Sequence, residues 1–411
     1  MIVKQYIKDF ENMGFGMFVH FGIYSVLGKG EWAKKILEIP DEEYYPMMEQ
    51  FDPKPEWATE LVKTAKKAGC KYITLTTRHH DGFSLYDTCG LCDLDAIHAK
   101  CGRDLVREFV DACRSEDIIP FFYHTYLDWY QEDYEKDFPK YLAYLRKSVE
   151  LLCKNYGKIG GIWFDGKWNK PNDDWEEDAM YSLIRSYQPE AMIINNTGLS
   201  AMGALGHIEL DSVTFERGKP KALNMDGAPK YVASEMCEVF NDHWGYAAED
   251  LDYKSPAKMI EELVDCRRAG ANMLMNVGPM ADGGIRPIDA ATLGIMGKWV
   301  SYHDEAIRNP RPSGIEISGN NKDFILKDGA NYYLFCLGLP MCADKNVAMA
   351  AEGAADFYTD SFALPEKVAS VTWMDNGMPV EFTQKDDQVT ITKEPFTYGR
   401  SLVVRVAKIC C

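Results

Sequence analysis

Eight short runs rich in β-branched and aromatic residues, separated by longer helical patterns, constrain the fold of this chain more than any other feature. They lie at residues 16–21, 71–77, 118–124, 161–165, 191–196, 212–216, 231–236 and 272–277. Strands that alternate with helical stretches are the mark of βα units wound into a parallel sheet. Between them, residues 55–68 place Trp57, Leu61, Val62 and Ala65 on one face, and Gly69 supplies a stop. Residues 105–114 repeat the pattern, with Asp104 as N-cap and Leu105, Val106, Phe109, Val110 and Cys113 as the apolar face. Further helices are predicted at 139–156, 175–187, 256–268 and around 290–302.

Eight such strands suit a closed barrel. The gaps between the fifth, sixth and seventh are too short for a full crossover helix, which needs about ten residues or more. The expected fold class is therefore α/β: an irregular (β/α)8 TIM-like barrel over residues 1–308. A Pro-rich linker at 309–314 follows, and then short alternating strands at 332–337, 368–374, 388–392 and 401–406, with turn signals at 375–377 and 385–387. These predict a small C-terminal β-sandwich over 309–411. A chain of 411 residues agrees with two domains, since single cores stop growing at about 250–300.

The formal charge of −18 disfavours nucleic acid, whose phosphates need clustered Lys and Arg. No stretch approaches the roughly 18 uninterrupted apolar residues of a membrane helix, so a soluble protein without a membrane partner is expected. The first residues lack the apolar core and cleavage site of a secretory signal, which makes the cytoplasm the default location. Of the twelve cysteines, several sit in apolar runs and behave as small hydrophobes. Cys89, Cys92, His98 and Cys101 have a spacing that could close a structural zinc site, although the residues connecting them are not those of a typical zinc knuckle.

In a barrel of this kind the functional side chains sit at the C-terminal strand ends. His20 marks the first end, Arg78-His79-His80-Asp81 the second, Tyr123-His124 the third, Asp165 the fourth, Asn195-Asn196 the fifth, Glu216 the sixth, Glu235 the seventh and Asn276 the eighth. Singly, each reads as a satisfied structural residue. Their convergence on one end does not. Asp165 stands directly after an apolar strand, with Gly166 behind it to let a ligand approach. The bland alternative, an N-cap for the next helix, is opposed by the loop-like 167–173.

Glycoside hydrolysis needs two carboxyl groups, and Asp165 has two candidate partners, Glu216 and Glu235. Either could instead be an ion-pair residue, Glu216 most simply with the adjacent Arg217. Aromatic rings meet the C–H faces of a pyranose while neutral polar groups read its hydroxyls, so His20, Glu31, Trp32, His79, His80, Tyr123 and Trp244 together suit a monosaccharide pocket.

These segments resemble a known family. Phe15-Gly16-Met17-Phe18-Val19-His20-Phe21-Gly22 with Glu31-Trp32, Arg78-His79-His80-Asp81-Gly82-Phe83, Leu127-Asp128-Trp129, Trp163-Phe164-Asp165-Gly166, Trp244-Gly245-Tyr246 and Asn276-Val277-Gly278-Pro279 are similar, in order and spacing, to the motifs of glycoside hydrolase family 29, the α-L-fucosidases. The resemblance spans about residues 10–310. It implies an exo-acting enzyme that releases terminal L-fucose from oligosaccharides or glycoconjugates with retention and no cofactor or metal. It also implies Asp165 as nucleophile, Glu216 before Glu235 as acid/base, and His20, Glu31, Trp32, His79, His80 and Tyr123 around the sugar. Two positions depart from the family's habit: Phe21 where Trp is common, and Thr197 where Arg often follows the fifth-strand Asn. The rival readings are a metal-dependent hydrolase using His20, His79 and His80, an α-L-galactoside hydrolase, and a catalytically silent sugar-binding relative. Adjacent residues of a strand face opposite ways, which sets His79 and His80 badly for a shared metal.

Overall fold

The structure, a computed structural model, describes residues 3–342 and 358–411. It divides into two compact units, one running to Ser255 together with Ala271–Ile295, the other holding Pro256–Gly270 and the chain from Met296 onward.

The first unit is a closed barrel of eight parallel strands: β1 (Phe15–Val19), β2 (Tyr72–Arg78), β3 (Ile119–Thr125), β4 (Gly161–Asp165), β5 (Met192–Asn195), β6 (Ser212–Glu216), β7 (Ala233–Glu238) and β8 (Asn272–Val277). β1 closes it by pairing with both β2 and β8. Large inward side chains fill the interior, with Phe18, Tyr72, Phe121, Tyr123, Trp163 and Leu274 in one buried cluster with Ile7 and Phe10. The space for these rings comes partly from Gly16, where a Cβ would meet the Tyr72 ring at 2.4 Å.

The helix starts and stops follow local chemistry. Asp104 caps Leu105–Ser115 by accepting from the Arg107 amide at 2.9 Å. Gly69 ends Trp57–Ala68 in the left-handed region at φ +89°, where a side chain would be strained. That helix buries Trp57, Leu61, Val62 and Ala65, the face its spacing predicted. The N-terminal helix Gln5–Met13 was not foreseen.

The expected irregularity falls between β5 and β7. Only a single turn of 3-10 helix, Leu199–Ala201, interrupts the chain from β5 to β6, and no helix joins β6 to β7. β5 and β6 meet at one register pair, Ile194 with Ser212. Residues 196–211 are therefore free of crossover duty and form part of the pocket wall.

The second unit carries two antiparallel sheets. With strands β9 (Arg311–Pro312), β10 (Phe324–Asp328), β11 (Asn331–Leu337), β12 (Tyr358–Ala363), β13 (Ser370–Trp373), β14 (Glu381–Lys385), β15 (Gln388–Lys393) and β16 (Val404–Cys410), the orders are β13-β16-β11-β10-β9 and β12-β15-β14. Leu334, Trp373 and Ile409 from one sheet share a core with Phe362, Val389 and Ile391 from the other, which makes a sandwich. The strand expected at 401–406 lies later, at β16. The strands β10, β12 and β14 were missed; in β14 only Phe382 is apolar, and no residue is fully buried, so no alternation marks it.

Among the described residues, no helix is long and apolar enough to cross a membrane.

Candidate active site

Strand register decides which carboxylates stand at the mouth of the barrel. Asp165 ends β4 opposite Thr125. Glu216 ends β6 opposite Cys237 of β7, whereas Glu235 pairs with Thr214 and Asn272, two residues farther down. Two residues of strand are roughly 6–7 Å. The sequence placed Glu235 at the end of its strand because the apolar run stops at Met236, but β7 continues to Glu238. Glu235 is consequently buried inside the barrel, where it accepts hydrogen bonds from Trp163 Nε1 at 3.0 Å and from the Tyr72 hydroxyl. It does not line the cavity of about 370 Å³ that opens at this end.

That cavity is lined by Asp165 and Glu216 together with His20, Trp32, His79, Tyr123 and Trp244. Asn196 Nδ2 donates to Asp165 Oδ1 at 3.2 Å and to Glu216 Oε2 at 2.7 Å. Two carboxyl oxygens that share one nitrogen cannot be farther apart than about 6 Å, the range in which two carboxyl groups can work on the same glycosidic bond. Their surroundings differ. Asp165 also accepts from Tyr123 Oη at 3.0 Å and Trp168 Nε1 at 3.1 Å, and His80 Nε2 lies 3.6 Å away. Glu216 accepts from Asn196, and burial, followed by the charge of Asp165, pushes its pKa up to about 7. The ion pair considered for it does not form, because Arg217 reaches Asp242 instead.

Gly166, behind Asp165, does a different job from the one its position suggested. It turns the chain at φ +88°, and a Cβ there would meet Leu127 Cβ at 2.8 Å, so it serves the turn rather than ligand approach.

Burial keeps the histidines neutral. His20 is lowered to about 3, His80 to about 4 and His79 well below the usual value, each mainly by desolvation. Asn276 Oδ1 holds His20 Nδ1 at 2.7 Å, and Thr125 Oγ1 holds His80 Nδ1 at 2.7 Å. The Nδ1 of His79 is buried without a protein partner. His80 stands behind the wall, against Trp32 and Asp165. Glu31 is likewise buried behind it, accepting from the backbone N–H groups of Trp244 and Gly245 at 3.1 and 2.7 Å, and so ties two loops of the rim together.

The expectation that His79 and His80 face opposite sides of a strand is wrong. β2 stops at Arg78 after a register shift, and both rings lie beyond it with centroids 4.2 Å apart. Among the described residues, no group of three or more His, Cys, Asp and Glu is arranged to hold a metal ion. Cys89, Cys92 and Cys101 are free thiols, and His98 bonds to Asp95.

The family model described as Alpha-L-fucosidase matches residues 3–305, three-quarters of the chain and the whole of this site. The chain belongs to the α-L-fucosidase family. It is a glycoside hydrolase, 29% identical over 352 residues to the tissue alpha-L-fucosidase of Bos taurus, covering 79% of this chain and 73% of that one. To the human tissue enzyme it is 27% identical over 359 residues, with 79% and 74% covered. Among solved structures, alpha-L-fucosidase isoenzyme 1 from Paenibacillus thiaminolyticus superposes with a TM-score of 0.80 at 27% identity, covering 99% of this chain and 98% of the other. A fucosidase from Bacteroides thetaiotaomicron, described as a trapped covalent intermediate with 2-fluoro-fucosyl fluoride, shares the fold at a TM-score of 0.83 and 21% identity, with 99% and 96% covered.

Both departures from the habits of α-L-fucosidases find a place in the structure. Phe21 packs away from the cavity against Phe51 and Trp57, so it is no part of the sugar wall. Thr197 donates to the Ala201 carbonyl at 2.7 Å and shapes the loop after β5. Sequence reasoning passed over several wall residues. Asn196 was visible only as a strand end, and Trp168 only as an aromatic three residues past Asp165. Nothing marked Cys237, because its importance depends on the register that sets it opposite Glu216.

Proposed function

We propose that this protein is an exo-acting α-L-fucosidase that releases terminal L-fucose from oligosaccharides or glycoconjugates by double displacement, with Asp165 as nucleophile and Glu216 as acid/base. The observation that carries the reading is the Asn196 amide bridging two carboxyl groups of unlike environment. Asp165 accepts from three neutral donors, which hold its carboxyl oxygens in place for attack. Glu216, raised to about 7, is suited to hold a proton at neutral pH.

In the first step an Asp165 oxygen attacks the anomeric carbon, the glycosidic C–O bond breaks, and the Glu216 proton goes to the leaving oxygen. In the second, Glu216 takes a proton from water, whose oxygen attacks the same carbon and frees the Asp165 carboxylate. Two inversions give net retention. The covalent species trapped in the Bacteroides thetaiotaomicron enzyme is of the kind this route passes through. Neutral His20 and His79 read uncharged hydroxyls, and Trp32, Tyr123 and Trp244 offer apolar faces to the ring and its C6 methyl.

The test is the product. Proton NMR during hydrolysis of 4-nitrophenyl α-L-fucoside should show α-L-fucose before mutarotation, and first-formed β-L-fucose would overturn the mechanism. Glu216→Ala should slow natural oligosaccharides far more than the activated aryl fucoside, whose leaving group needs little protonation, and azide should restore its turnover by replacing the base-activated water.

A further inference from the structure

We infer that Trp168 and Leu199 form the subsite for the leaving part of the substrate, a neutral group with a flat apolar face such as the next pyranose, and that Trp168 also positions Asp165. The inference rests on the fucosidase reading and adds to it the class of aglycone accepted.

Trp168 lies in the turn Lys167–Asn169 that follows Gly166, and Leu199 opens the 3-10 turn after β5. Both line the catalytic cavity, yet Trp168 is 38% exposed and Leu199 65% exposed. Large apolar side chains left open at the rim of a polar pocket are the signature of a surface completed by a ligand. Trp168 is also held firm, its ring stacked on Trp32 with centroids 6.0 Å apart and 25° between planes. A ring so fixed is a platform for the C–H face of a sugar.

Charge selects the partner. The two basic residues beside this wall in sequence are both committed elsewhere, Lys167 to Glu177 and Arg217 to Asp242. The Asp165 carboxylate faces the same space, so an anionic aglycone meets repulsion there.

The platform is wired to the chemistry. Trp168 Nε1 donates to Asp165 Oδ1 at 3.1 Å, the oxygen that Asn196 also contacts. An aglycone seated on the indole therefore bears on a donor that aims the nucleophile. Trp168 acts through Asp165 here and is a positioning residue.

Measurements of kcat/KM separate the two roles when made on α-L-fucosyl fluoride, which has no ring to stack, and on α-L-fucosyl-N-acetylglucosamine. Trp168→Phe keeps the ring and deletes the N–H, so both substrates should lose about tenfold together. Trp168→Leu removes both, and the disaccharide-to-fluoride ratio should drop a further tenfold or so. Leu199→Ser should lower the same ratio by about threefold. An unmoved ratio in Trp168→Leu overturns the subsite. Full fluoride turnover in Trp168→Phe overturns the positioning role. If the unaltered protein cleaves neither substrate, the fucosidase reading falls and takes the subsite with it.

Discussion

In the C-terminal unit the ammonium of Lys393 lies 2.5 Å from Asp323 and 2.7 Å from Asp360, all three side chains almost wholly buried. Asp323 also accepts from the Leu337 amide and Asn320 Nδ2, and Asp360 from the Asn320 amide. Burial works against the charge on Lys393, but the neighbouring Cys336 and the bonds to both aspartates outweigh it and hold the group charged. The barrel pocket brings two carboxyl groups together as well, yet what lies between Asp165 and Glu216 is a neutral amide. Buried charges that meet an opposite charge and are hydrogen-bonded can be kept inside a fold, and removing one partner is costly. Burial with no cation bound beside it, and then the charge of Asp165, instead push Glu216 up to about 7, as an acid needs. The same residue types serve structure in one place and chemistry in the other, according to the sign of the group between them.

The largest test of this contrast is Asp165→Ala. Turnover of an aryl fucoside should fall by roughly four orders of magnitude, with the thermal midpoint unchanged or raised, because the lost carboxylate made chemistry and not packing. Near-normal turnover in the folded variant would break the comparison at its catalytic end. Lys393→Met attacks the other end. It strands two buried carboxylates, so chemical denaturation should show a loss of about 3–5 kcal/mol. A neutral outcome would mean that the triad does not carry the structure.

The smallest effect is Glu216→Gln. Because the folded-state pKa of Glu216 stands near 7, above its unfolded value, the native protein is favoured by the neutral carboxyl at low pH, and that advantage is lost as the pH rises through about 7. Glutamine cannot ionise, so the variant should be more stable than the parent by about 1–3 kcal/mol at pH 8 and equal to it near pH 4.5. The parent's kcat/KM should decline above pH 7 for the same reason. Equal melting curves at both pH values would show that Glu216 carries no stored strain.

By itself the sequence determined the elements whose signals are local. The period of the apolar residues marked all eight barrel strands, and β4, β6 and β8 begin and end where that reading put them. Asp104 and Gly69 announced their helix ends because caps act within a few residues. The missing crossovers around β6 followed from loop length alone. The strand ends placed Asp165, His20 and Tyr123 at the mouth of the barrel, and all three line the cavity there.

Only the tertiary structure decided what depends on register and on contacts between distant segments. Glu216 and Glu235 each follow an apolar strand and look alike in one dimension. Two residues of strand carry one to the cavity and the other down among Tyr72 and Trp163. His79 and His80 became neighbours because β2 stops at Arg78, so strand alternation no longer governs the two residues beyond it. Asn196 became the bridge between two carboxyl groups because β4, β5 and β6 lie side by side, and Trp168 reached the nucleophile because Gly166 turns the chain back. A side chain's type is written in the sequence, whereas its pKa and its partner are set by what the fold brings within a few ångströms of it.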